Sequence, residues 1–124
     1  MPGVITIERN IHDEAIVISG ALTVDTALDG LHAIVAAALE AAALAVKDSD
    51  GIVGHIKAAL ATTSTDMISV TDENAMVKRS LVKRVQITLT AIVFIIDQKE
   101  AEQIVRTALA EIRRKAKDKG DAAL

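Results

Sequence analysis

Val85-Gln86-Ile87-Thr88-Leu89-Thr90-Ala91-Ile92-Val93-Phe94-Ile95-Ile96-Asp97 is the stretch whose reading decides the fold. Val85, Ile87, Leu89, Ala91, Val93 and Ile95 alternate with Arg84, Gln86, Thr88 and Thr90, and a two-residue period is that of a β-strand with one buried face. The other face starts polar and turns apolar at Ile92, Phe94 and Ile96. Asp97 ends the run, and Glu100 three residues later completes an Asp variant of the capping box. Ala101, Ile104, Val105, Ala108, Leu109, Ile112 and Ala116 then recur at three- and four-residue steps, which predicts an amphipathic helix ending at Gly120.

Working back from this strand and helix, Ile52 to Leu60 alternates Ile52, Ile56 and Leu60 against Val53, His55 and Lys57. A half-buried strand is expected there. Met67 to Thr71 is expected to run back antiparallel to it across the hydroxyl-rich turn Thr62 to Asp66. Before it, Leu28, Leu31, Val35, Leu39, Ala42 and Val46 mark a helix from about Asp25 to Lys47, capped by Thr23 or Asp25. Eight alanines between Ala33 and Ala45 leave the rest of that helix weakly apolar, so it is expected to be covered on more than one side. Val4 to Arg9 and Glu14 to Ser19 read as a hairpin or one bent strand around Asn10, His12 and Asp13.

The 124 residues carry no internal repeat or linker and are read as a single α+β domain, residues 1–124. The expected architecture is a two-layer sandwich, with two helices packed on one face of a mixed or antiparallel sheet of about four strands. Its order, strand, helix, strand, strand, helix, resembles a truncated ferredoxin-like fold. A right-handed crossover places the strand near Ile16 parallel to a later strand. Such an architecture hosts many activities and by itself assigns none.

Composition narrows the function classes. There is no cysteine, which removes disulfide scaffolds, thiolate metal centres and cysteine catalysis. Phe94 is the only aromatic residue, which leaves little for base stacking or aromatic cages. The start, Met1 to Val4, has no secretory-signal pattern, and the apolar run Leu31 to Val46 is mostly alanine and contains Glu40. A cytoplasmic location without membrane contact is the expectation.

The face of the sheet opposite the helices is expected to bear His55, Lys57, Arg84, Gln86 and Thr88, and these are the candidate ligand-binding residues. Two courses follow. The face joins another copy in a homo-oligomer, since Ile92, Phe94 and Ile96 would otherwise form an exposed apolar patch, with the alanine-rich helix as a second contact. Or it holds a small anionic ligand, with His55 as acid or base and Lys57 or Arg84 as an anion clamp at a subunit interface. The leading reading is an oligomeric binding or regulatory module, and a small-molecule enzyme is the alternative.

Other clusters have plainer explanations. Gly51 and Gly54 lack the lysine and following helix of a phosphate-binding loop. Thr62 to Thr65 suit a self-bonded turn. Neither His12-Asp13-Glu14 nor His32 with Glu40 has an established metal spacing, so no metal or cofactor is expected. Arg113, Arg114, Lys115, Lys117 and Lys119 complement a helix C-terminus. With a second basic run at Lys78, Arg79, Lys83 and Arg84 but a net charge of -3, nucleic acid is disfavoured.

Overall fold

A computed structural model describes residues 3–12, 14–26, 30–63, 66–71, 74–79 and 84–122, with side-chain environments for residues 3–11, 14–26, 30–62 and 84–117. The elements in chain order are β1 (Thr6–His12), β2 (Ala15–Asp25), α1 (Leu31–Asp48), β3 (Ile52–Thr63), β4 (Asp66–Thr71), β5 (Asn74–Arg79), β6 (Arg84–Phe94) and α2 (Gln98–Ala122). Four strands form one sheet in the order β1-β2-β6-β3, and every neighbouring pair is antiparallel. β4 and β5 form a separate two-stranded sheet. The protein is therefore α+β, with a four-stranded antiparallel sheet and two helices.

The chain order differs from the expected strand, helix, strand, strand, helix. The N-terminal segment is two full strands, and Met67 to Thr71 pairs with β5 instead of returning along β3. β3 is paired along its whole length by β6. β2 and β3, on either side of α1, run parallel to each other but are not neighbours, because β6 lies between them.

Local chemistry explains where the elements begin and end. β2 continues through Gly20 to Asp25, with Ile16, Ile18, Leu22 and Val24 buried on alternate positions. The expected helix start at Thr23 or Asp25 is thereby displaced to Leu31. Gly30 is its N-cap, in the left-handed conformation and without a side-chain cap. At the other end, Asp50 takes φ 62° while its N–H donates to the carbonyl of Lys47 and that of Gly51 donates to the carbonyl of Val46. These two bonds are the paired closure of a Schellman motif, with an aspartate where glycine is the least strained residue. Asp97 caps α2 as expected: its Oδ2 accepts the N–H of Glu100 at 3.3 Å. The helix runs past Gly120 to Ala122, two residues beyond the expected stop.

Both helices pack on one face of the sheet, α2 over β2 and α1 over β3. The core joins Ile18, Leu22, Val85, Ile87, Leu89 and Val93 to Leu31, Val46, Val105, Leu109 and Ile112, and each large side chain so buried contributes about 1.5–3 kcal/mol. Gly20 sets the closeness of the layers. A Cβ there would lie 2.5 Å from Leu109 Cδ1 and 2.9 Å from Ile7 Cδ1. The β6 face is as predicted from Val85 to Val93, but Ile95 leaves the strand with φ 57° and is 73% exposed.

In β3 the expected parity fails at one point. The register shifts between Val53 and His55, a β-bulge at Gly54, where a Cβ would lie 2.8 Å from Phe94 Cε2. Val53 therefore packs against the core together with Ile56, Ala58 and Leu60, while Ile52 is 52% exposed.

Gly20→Ala is expected to cost about 1–3 kcal/mol through overpacking against Leu109, and Asp50→Gly to stabilise by about 0.5–1 kcal/mol by relieving the left-handed residue. Urea unfolding of the two variants beside the parent protein checks both signs.

Candidate functional site

No described helix covers the face turned away from α1 and α2, and the strand register assembles it into rows. Asp25 stands beside Arg84, and Thr23 lies beside Gln86, which pairs with Ala61. Then come Thr6-Ala21-Thr88-Ala59, Glu8-Ser19-Thr90-Lys57 and Asn10-Val17-Ile92-His55. Phe94 opposite Ile52 closes the series. One end of the face is thus polar and the other apolar, which agrees with the change along β6 expected from the sequence.

All five predicted site residues stand on this face, but not in one place. His55 pairs with Ile92 and Lys57 with Thr90, so these two are neighbours. Arg84 lies eight residues from Ile92 along β6, about 26 Å at roughly 3.3 Å per residue. It cannot close on a small molecule held by His55, and it is already engaged: its Nε donates to Asp25 Oδ1 at 3.0 Å. Thr88 lies one row from Lys57, and Gln86 two rows, toward the Arg84 end. Ser19 and Thr90 share a hydroxyl hydrogen bond of 3.3 Å at the centre of the face. His55 and Lys57 are exposed rather than walled in.

The first two strands supply residues to this face, most of them polar, that the sequence pattern from β3 and β6 does not include. Thr6, Glu8 and Asn10 come from β1, and Val17, Ser19, Ala21 and Thr23 from β2. Ser19, Ala21 and Thr23 alternate with Ile18, Leu22 and Val24, which is a legible signal interrupted only by Gly20.

A concavity of about 700 Å³ lies between the outer sides of α1 and α2. Ala37, Ala41 and Ala45 line it opposite Ile104 and Thr107. Ser49 donates its hydroxyl hydrogen bond to Glu100 at one end. At the other, Arg114 hydrogen-bonds Glu111 and holds its carboxyl below the ordinary carboxylate value, assisted by the charge of Lys115. Ala33, Ala37, Ala41 and Leu44 are exposed, so among the described residues α1 is covered on one side only, against the expectation from its alanines.

Elsewhere the polar and glycine clusters have structural partners or stand apart. Gly51 meets Val46 and Ile96, which is close packing and not a phosphate cradle. His32 and Glu40 are exposed on α1. Among the described residues no three His, Asp or Glu side chains group as metal ligands. Arg113 donates to the Gly3 carbonyl at 2.8 Å, and Arg114 and Lys115 engage Glu111. The side chains of Lys78, Arg79, Lys83 and Lys119, and those of His12, Asp13 and Thr63 to Thr65, lie outside the described residues. No described helix is long and apolar enough to cross a membrane.

Comparison with protein-family models, with curated proteins and with solved structures returns no match to this chain.

The sign of the Glu111 effect is testable. A carboxyl whose folded pKa is depressed adds stability above its unfolded pKa and loses it as pH falls through the folded value. Glu111→Gln is therefore expected to lower the thermal midpoint slightly at pH 7, and the difference from the parent to vanish in acid, as read by circular dichroism melts between the two conditions.

Proposed function

We propose that this chain is a small cytoplasmic oligomeric binding or regulatory module whose working surface is the open face of the sheet. One observation carries the reading: the two helices both lie on the same side, which leaves a four-stranded face whose Ile52, Phe94, Ile92 and Val17 end has no cover among the described residues. A contiguous apolar patch of this kind is a usual mark of an association surface. The neighbouring Lys57, His55, Thr88 and Thr90 supply one cation and several donors for a small anionic ligand at the edge of that patch.

The enzyme alternative draws less support. Of its two alternative clamps for a substrate at His55, Arg84 stands at the far end of the sheet, eight residues along β6 from Ile92, the partner of His55. Among the described residues Lys57 is the clamp that remains beside His55, and both are exposed on the strand face, whereas small-molecule sites are concave.

A ferredoxin-like kinship of architecture accompanies this reading. What supports the kinship is the sequence β2, α1, β3, β6 and α2 once β4 and β5 are set aside, with β1 at the edge beside β2. Such kinship limits function little.

Sedimentation velocity tests the functional reading. The parent protein is expected to sediment as more than one 13.1 kDa chain, and Ile92→Asp, which places a charge in the apolar end, to sediment as a folded monomer. A parent protein that is monomeric throughout would sink the reading.

A further inference from the structure

We propose that two copies of this chain stack open face on open face about a two-fold axis that runs along the strands between β2 and β6. The inference rests on the reading of the open face as an association surface and specifies its partner and geometry.

The midline between β2 and β6 divides the sheet into equal halves, with β1 and β2 on one side and β6 and β3 on the other. A two-fold axis along this line lays β1 over the partner's β3, and β2 over its β6, while keeping each row over the same row. The chemistry of the rows suits that operation. Glu8 at one edge falls over Lys57 at the other, because both belong to the Ser19-Thr90 row. Asp25 falls over Arg84 of the second copy, which turns the ion pair within each chain into an alternating group of four charges. Asn10 falls over His55 and Val17 over Ile92, so a hydrogen-bonding pair and an apolar pair also repeat twice.

Among the described residues the charged side chains of this face other than histidine are Glu8, Asp25, Lys57 and Arg84, two of each sign. Each acid and its opposing base lie in one row and on opposite sides of the midline. A two-fold axis across the strands would instead put the Asp25-Arg84 end over Phe94 and Ile52 and bury charges against apolar side chains, which is costly. The axis along the strands is the one that satisfies both ends at once.

Size and reach agree with it. Four strands at about 4.8 Å spacing and 11 residues of β6 at about 3.3 Å each give a face of roughly 700 Å², close to the area each partner of a stable complex contributes. Sheets stacked face to face lie about 10 Å apart, a gap that a glutamate and a lysine side chain span together.

Charge exchange tests this arrangement. Within one chain Glu8 and Lys57 are three strand spacings apart, about 14 Å, so they do not pair with each other and any rescue between them must come from a second copy. The full chain and its variants are compared by sedimentation velocity from about 1 to 100 μM, with circular dichroism to establish that each is folded. Lys57→Glu is expected to weaken dimerisation at least about tenfold in Kd, since it sets a second carboxylate against Glu8 at both symmetry-related positions of the interface. The double variant Glu8→Lys with Lys57→Glu is expected to recover the parent Kd within about threefold. Leu44→Glu, on the exposed side of α1, is expected to leave the dimer unchanged.

A monomeric parent protein would overturn both this inference and the functional reading it rests on. A dimer disrupted by Ile92→Asp but indifferent to Lys57→Glu, or not rescued by the double variant, would overturn the two-fold arrangement alone. Dissociation by Leu44→Glu without any effect of Lys57→Glu would place the interface on α1 and overturn it as well.

Discussion

The close approach of α2 to β2 at Gly20 is the constraint on which the remaining structure depends. Leu109 enters the space that any side chain at position 20 would fill, and this lets the apolar stripe from Ala101 to Ala116 settle directly on β2 and β6. Packing at that distance excludes water from both layers and makes the buried face continuous across the strands. α1 then has one place left to bury Leu31, Val35 and Val46, beside α2 and over β3. With both helices on the same side, the opposite face is left bare among the described residues.

That bare face is ordered by the ladder and not by side-chain contacts of its own. Its ion pair, Arg84 with Asp25, and its hydroxyl bond, Ser19 with Thr90, are each exposed or half-exposed, and such contacts contribute little stability. The rigid element is the backbone register, which holds Glu8 and Lys57 in one row at opposite edges and Val17 next to Ile92. The bulge at Gly54 contributes to this order. By absorbing one residue it turns Val53 into the core and leaves both Ile52 and His55 on the outer side, which extends the apolar end. The open face is thus a patterned surface, and the concavity between α1 and α2 lies on the other side of the sheet. Such a surface suits the proposed association, which needs area and complementarity rather than enclosure.

Two strained residues, Asp50 and Ile95, mark the places where the chain turns sharply between layers. Asp50 closes α1 so that β3 can begin at Ile52, and Ile95 breaks β6 so that α2 can start at Gln98. Both turns lie at the apolar end of the sheet, where Gly51 packs against Val46 and Ile96. The short connections keep the helices against their strands, and the backbone cost is borne at single residues instead of being spread over long loops.

Some of this molecule was decided by local pattern alone. The alternation from Val85 to Val93, the cap at Asp97 and the helical spacing from Ala101 to Ala116 each depend on neighbours a few residues away, so a linear reading recovers them and the change from polar to apolar along β6. The placing of His55, Lys57, Arg84, Gln86 and Thr88 on a common face follows from the same two-residue period. What tertiary structure decided is everything that depends on which strand lies beside which. Gly20 reads as a break but is a point of helix contact, so the continuation of β2 to Asp25 was hidden behind a residue whose reason is Leu109, far away in sequence. At the bulge, Phe94 and the Ile92 carbonyl leave Gly54 no room for a side chain, and the shift of register puts Val53 on the core side. Pairing, finally, separated Arg84 from His55 and brought Glu8 and Lys57 into one row: alternation specifies the side on which a residue stands, and only hydrogen bonding between distant strands specifies its position along that side.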